Sequence, residues 1–70
     1  MKTWEKAEHA IQEIIDKGLC MHIERLNDNI IEACILDYNQ IVLHVARTTN
    51  PKAPFNAIIK VHELWLKETR

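Results

Sequence analysis

The stretch from Leu19 to Arg47 constrains the fold most, because its apolar residues recur at a period of two. Two short polar breaks, Asn27-Asp28-Asn29 and Asp37-Tyr38-Asn39, divide it into three β-rich runs. A period of two, β-branched residues and Asn/Asp-rich breaks are typical of short strands joined by tight turns. The stretch is therefore predicted to form a three-stranded antiparallel meander.

The odd-numbered positions of all three runs are apolar, which predicts the sheet face that meets the core. This predicted core set is Leu19, Met21, Ile23, Ile31, Ala33, Ile35, Ile41, Leu43 and Val45. Matching odd with odd positions pairs Ile23 with Ile31 and Ile35 with Ile41. A two-residue slip in either hairpin keeps the same parity, so the register stays open within that limit.

Amphipathic helix patterns lie on both sides of the meander. Helix one is predicted from Trp4 to Lys17, with its apolar residues within an arc of about 140°, and Gly18 follows as a natural C′ residue. The apolar members of that arc are Trp4, Ala7, Ile11, Ile14 and Ile15. Helix two is predicted from Pro54 to Glu68, after the loop Thr48–Pro54, and its apolar arc of about 220° is wider than one sheet face can bury.

The predicted fold class is α+β, in the order α-β-β-β-α, with residues 1–70 forming a single domain. The two helices either share one face of the sheet or lie one on each face. A chain of 70 residues has little room for a core, and oligomerisation is one of the usual ways in which so small a domain gains stability. We therefore expect a homodimer or larger homo-oligomer.

Charge and composition narrow the possible partners and the compartment. The net charge is −1, and domains that bind nucleic acid by bulk electrostatics are usually clearly basic. No apolar run approaches the ~20 residues that span a bilayer, and the opening residues lack the apolar region of a secretion signal. With two cysteines and no such signal, a cytoplasmic protein with reduced thiols and no membrane association is expected.

One candidate ligand site lies on the even-numbered face of the predicted sheet. The odd-with-odd register puts His22, Glu32 and His44 in one lateral row, with Cys20 and Cys34 in the next row. Neighbouring strands lie ~4.8 Å apart, so two imidazoles and a carboxylate in such a row have the chemistry to hold zinc or iron. The alternative interpretation is a glutamate between two histidines on a solvated or partner-covered face.

The two cysteines do not predict catalysis. Cys34 lies between Ala33 and Ile35, a setting that suits a small buried apolar residue better than an activated thiolate. The sequence offers no loop for an oxyanion hole, since Gly18 is the single glycine and ends helix one. We predict that the protein is not an enzyme and needs no cofactor.

The wide apolar arc of helix two is the candidate protein interface. Trp is favoured at protein interfaces, so an interface centred on Trp65 is one interpretation. The predicted interface residues are Phe55, Val61, Leu64, Trp65 and Leu66. The other interpretation is that these residues are buried between the sheet and helix one.

Double-stranded RNA-binding domains share the α-β-β-β-α order. They carry a lysine cluster at the start of the second helix, whereas this chain reads Pro51-Lys52-Ala53-Pro54-Phe55 there. Only the topology agrees, so nucleic acid is an unlikely partner.

The chain also resembles small phage and prophage proteins with this order of elements, including phage ABA-sandwich proteins and some compact CRISPR inhibitors. The likeness covers the order of elements over the whole chain, and the way the third strand passes through a Thr/Pro turn, Thr48 to Pro54, into a helix containing Ala57-Ile58. The resemblance implies a non-catalytic accessory or anti-defence protein that inhibits or modulates a host protein in the host cytoplasm. Such proteins act by occupying a host protein's surface or by sequestering a signalling nucleotide. A metal- or small-ligand-binding module and an RNA-binding domain are the alternatives.

Overall fold

The three strands of the middle stretch and the two flanking helices appear in the fold as predicted. The structure is a computed structural model that describes residues 2–50 and 53–69. Its elements are α1 (Thr3–Asp16), β1 (Cys20–Asn27), β2 (Ile30–Leu36), β3 (Val42–Thr48) and α2 (Phe55–Thr69). The strands form one antiparallel sheet in the order β1-β2-β3, which confirms the α+β class and the α-β-β-β-α order. Within the predicted loop Thr48–Pro54, Pro51 and Lys52 lie outside the described residues.

The end of α1 is set by Gly18, as the sequence predicts. Gly18 has a φ of 77°, in the left-handed region where a Cβ is strained. The Gly18 N–H donates to the Ile15 carbonyl at 2.9 Å, and the Leu19 N–H donates to the Ile14 carbonyl at 3.1 Å. This pair of bonds is a Schellman motif, which satisfies carbonyls that the helix leaves free and turns the chain into β1.

The two polar breaks form the hairpin turns. In the first, the Asn27 side-chain oxygen accepts from the Asn29 N–H at 2.7 Å. In the second, a carboxylate oxygen of Asp37 accepts from the N–H groups of Asn39 and Ile41, at 2.8 and 3.1 Å. Asn and Asp favour turns because their short side chains replace backbone partners in this way.

Both helices lie on one face of the sheet. Buried residues of α1 and α2 join odd-numbered residues of β2 in a single core, whose largest fully buried side chains are Ile14, Ile35, Ile58 and Val61. The chain measures 30 × 29 × 17 Å, so it is two layers thick. Neither of the two described helices covers the opposite sheet face. No helix among residues 2–50 and 53–69 is long and apolar enough to cross a membrane.

The first hairpin keeps the predicted parity but is shifted by two residues. Ile23 lies opposite Ala33 rather than Ile31, and Met21 lies opposite Ile35. Odd positions of β1 and β2 therefore share the helix-covered face, although Ile23 is 43% exposed at the sheet edge. An irregularity between Arg25 and Asn27 ends the regular pairing near the turn.

The second hairpin changes parity, and the predicted core set is wrong on β3. Leu36 lies opposite Val42, but Ile35 lies opposite His44, so Leu43 is an extra residue that forms a β-bulge. A bulge sets two residues of one strand against one of its partner, which reverses the facing of every later residue. Even positions of β3 therefore reach the core. Ala46 and Thr48 are buried, whereas the predicted core residues Ile41, Leu43 and Val45 are exposed.

Candidate functional site

The predicted row of His22, Glu32 and His44 does not form. His22 lies opposite Cys34 on the helix-free face, and Glu32 lies between Glu24 and Arg47 on the same face. His44 lies opposite Ile35, on the helix-covered face, because the bulge reverses its direction. Among the described residues, no three His, Cys, Asp or Glu side chains are placed to hold a metal ion.

Glu32 instead belongs to a small polar cluster on the helix-free face. Arg47 Nε donates to Glu32 Oε2 at 2.8 Å, and the Cys34 thiol donates to Glu32 Oε1 at 3.4 Å. The bond from Arg47, followed by the bond from Cys34, holds the pKa of Glu32 below its ordinary value. Glu24, directly across the sheet from Glu32, has His22 Nε2 at 3.9 Å from its own carboxylate. The cluster therefore pairs the Glu32 carboxylate with Arg47 at one end of this face.

The two cysteines are free thiols in different settings. Cys34 is buried and Cys20 is exposed, and they are not paired across the strands, because Cys20 lies opposite Leu36. Burial, and secondarily the bond to Glu32, raises the pKa of the Cys34 thiol. Cys34 is therefore a poor nucleophile at neutral pH, which agrees with the sequence interpretation of it as a small buried apolar residue.

This difference predicts that the native protein reacts with a thiol reagent in two phases. At pH 7.5, Cys20 should be modified at the rate of an accessible thiol, and Cys34 at least about tenfold more slowly because its thiolate is disfavoured and covered. Following 5,5′-dithiobis(2-nitrobenzoate) colour release, with the Cys20→Ser variant as the control, measures both phases. A fast phase that survives in Cys20→Ser would contradict the burial of Cys34.

The predicted interface on α2 is not one surface. Val61 and Trp65 are buried in the core, and Leu66 packs against that core, so these three side chains are covered within the chain itself. Phe55 and Leu64 are exposed, at 41% each, but they lie nine residues apart, on opposite sides of the helix at 100° per residue. The 220° apolar arc is mostly core, as the alternative interpretation held.

An apolar groove between the helices brings together two residues that the sequence analysis had put in different places. It has a volume of about 270 Å³, and its lining is Trp4, Ala7, Glu8, Ile11, Gln12 and Phe55. Trp4 is 50% exposed, although the sequence pattern assigned it to the core face of helix one. We call this site the aromatic groove. The start of α1 and the start of α2 form it together.

The helices lie side by side in the same direction, which is why their first turns meet. Trp4 and Phe55 both line the aromatic groove, and further along the helices Glu13 meets His62, with 2.9 Å between the carboxylate and Nε2. The two helices are therefore parallel, because later residues of α1 lie beside later residues of α2. His62 also stacks on Trp65, with ring centroids 5.9 Å apart, so the interhelix contact is tied to the core.

The outer surface of α1 next to the aromatic groove is acidic. A shallow depression there is lined by His9, Gln12, Glu13 and Asp16, and it shares Gln12 with the groove. The Gln12 amide donates to Asp16 at 3.0 Å, which orders this surface. With Glu8 in the groove wall, the apolar site borders three carboxylates.

The chain matches no protein-family model, no curated protein and no solved structure.

Proposed function

We propose that this protein works without catalysis, by binding another protein through the aromatic groove and modulating that partner by occupying its surface. The observation that carries the proposal is the pair of exposed aromatic residues, Trp4 and Phe55, that line one apolar groove. The order of elements, which resembles that of small phage proteins, supports an inhibitory role toward a host protein.

The size and character of the aromatic groove favour a protein side chain over a small molecule. Pockets for drug-sized ligands are usually ~300–1,000 Å³ and largely enclosed, whereas this groove is smaller, at about 270 Å³, and Trp4 is half exposed beside it. Trp residues near an accessible groove are the type that dominates binding energy at protein interfaces. The site therefore suits one large apolar anchor residue of a partner.

The charges around the groove indicate the chemistry of the partner segment. Glu8 stands in the groove wall and Asp16 follows along α1, whereas Glu13 is held by His62 between the helices. Opposite charges across an interface speed association and fix the orientation of the partner. We therefore propose that the occupant is an amphipathic helix with a Leu or Phe anchor and lysines or arginines one turn away.

A defined peptide tests the groove directly. The probe is a helical peptide with one Phe anchor flanked by lysines, titrated into ¹⁵N-labelled protein. The indole N–H signal of Trp4 should shift saturably, and a peptide with glutamates in place of the lysines should bind at least about tenfold more weakly because it meets Glu8 with like charge. Absence of a saturable shift at millimolar peptide would overturn the proposed partner chemistry.

A pair of variants tests the function itself. Trp4→Ala removes the groove wall, whereas Ile15→Ala removes an equally exposed apolar side chain (54%) elsewhere on α1. A cellular protein captured by the wild type should be retained by Ile15→Ala and bind Trp4→Ala at least about tenfold more weakly in calorimetry with purified components. Equal binding to both variants would refute the proposal that the aromatic groove is the binding site.

A further inference from the structure

We infer that a second copy of this chain pairs antiparallel with the outer edge of β3 and extends the sheet to six strands. Both β1 and β3 are edge strands, because the sheet order is β1-β2-β3. An exposed edge is open to pairing with another strand, and stable monomers usually protect it with charges, prolines or cover. The two edges of this sheet differ in that protection.

The β1 edge carries charged residues, whereas the β3 edge carries none from Val42 to Ala46 and is interrupted only by the bulge at Leu43. β1 carries Glu24 and Arg25 in its middle, next to the irregularity that ends its pairing. The segment from Tyr38 to Ala46 contains no Asp, Glu, Lys or Arg. Its apolar residues are nevertheless exposed, namely Ile41, Val42, Leu43 and Val45. Such an uncharged, exposed edge is the kind that pairs with a strand of another chain.

The charge pattern selects a second copy as that strand. A two-fold axis near His44 sets Leu43 of one copy opposite Val45 of the other, twice, so that apolar residues meet apolar residues. The same axis holds the two Arg47 side chains about 20 Å apart, six residues at ~3.3 Å each. No like charges then lie opposite each other across the two strands. Because the β3 edge is uncharged, it has no feature that would favour a charged strand of another protein over a second copy of this chain.

Helix α2 adds apolar surface above the same edge. The Lys60 amine donates to the Arg47 carbonyl at 3.3 Å, which places this side of α2 beside β3. Leu64 lies one turn further along that side and is exposed. Pairing through β3 would therefore bring Leu64 toward its counterpart and enlarge the contact toward the ~800 Å² per partner of a stable interface. The aromatic groove lies on the α1 side of α2 and stays open.

The row His22–Cys34–Val45 provides a matched pair of variants. His22 and Val45 flank Cys34 on the same face, one on each edge of the sheet. Val45→Lys puts a charge at the β3 edge, and His22→Lys puts the same charge at the β1 edge. In sedimentation velocity, the wild type and His22→Lys should have twice the chain mass of 8.2 kDa, and Val45→Lys should have the mass of one chain. The Trp4→Ala variant should remain a dimer.

Three outcomes would overturn the inference. The wild type could be monomeric at the highest concentration, or Val45→Lys could be dimeric. The third outcome is that His22→Lys or Trp4→Ala loses the dimer as completely as Val45→Lys does. Circular dichroism establishes that each variant is folded. If Val45→Lys does not fold, a measurement on the wild type alone still tests the dimer. On dilution, amide exchange should become faster in β3 while β1 is unchanged, and an unchanged β3 would also refute the dimer.

Discussion

Replacing Trp65 with alanine should lower the free energy of unfolding by about 3–5 kcal/mol. Trp65 is 7% exposed, belongs to the core and stacks on His62. Truncating a buried Trp usually costs about 3–5 kcal/mol through lost burial and the cavity left behind. A domain of this size has a free energy of unfolding of only about 4–10 kcal/mol, so the loss is about a third or more of the total.

The neighbouring residue provides the control for that prediction. Leu64 is 41% exposed, and Leu64→Ala should lower the free energy of unfolding by less than about 1 kcal/mol. Urea denaturation followed by circular dichroism at one fixed protein concentration measures both variants. Comparable losses for Leu64→Ala and Trp65→Ala would contradict the orientation of α2 described above.

Replacing Ala46 with aspartate should abolish folding at pH 7, whereas Leu43→Asp should leave the protein folded. Ala46 lies opposite Ala33 in the core, where a carboxylate would have no partner and little water. An unpaired buried charge typically costs several kcal/mol. Leu43 is the exposed bulge residue, and its substitution removes only partly covered apolar surface.

This pair of variants tests the facing of β3 specifically. Simple alternation from the sequence predicts the reverse result, with Leu43 inside and Ala46 outside. Thermal unfolding, recorded for each variant and for the wild type at equal concentration, distinguishes the two arrangements. A folded Ala46→Asp beside an unfolded Leu43→Asp would show that the bulge is absent and that the odd positions of β3 face the helices.

The order of elements followed from signals that act over a few residues. Gly18 ends α1 because a left-handed residue is needed there, and the side chains of Asn27 and Asp37 form turns with their own neighbours. The single-residue bulge at Leu43 was not predictable in the same way. The free energy of the bulge depends on how β3 packs against β2 and α2, and the local sequence contains no residue that indicates a bulge.

The two tryptophans show a second limit of sequence periodicity. The helical pattern assigned Trp4 to the core and left Trp65 either at an interface or buried, whereas Trp4 is half exposed and Trp65 is buried. A pattern gives the apolar side of a helix, but it does not say how far along that side the neighbouring elements extend. Trp4 lies in the first turn of α1, where the core has ended, whereas Trp65 lies over the sheet. The aromatic groove was missed for the same reason, since it exists only where parallel helices bring Trp4 and Phe55 together.

The strand order β1-β2-β3 has a consequence for how this chain reaches its fold. Each strand pairs with the next one along the sequence, so both hairpins close over short loops, and short closures cost little entropy and occur quickly. The contact between α1 and α2 is different. Its hydrogen bond joins Glu13 to His62, across 49 residues of chain. We therefore expect the meander with α2 to assemble from near neighbours, and the docking of α1 to be a later, long-range step that completes both the core and the groove.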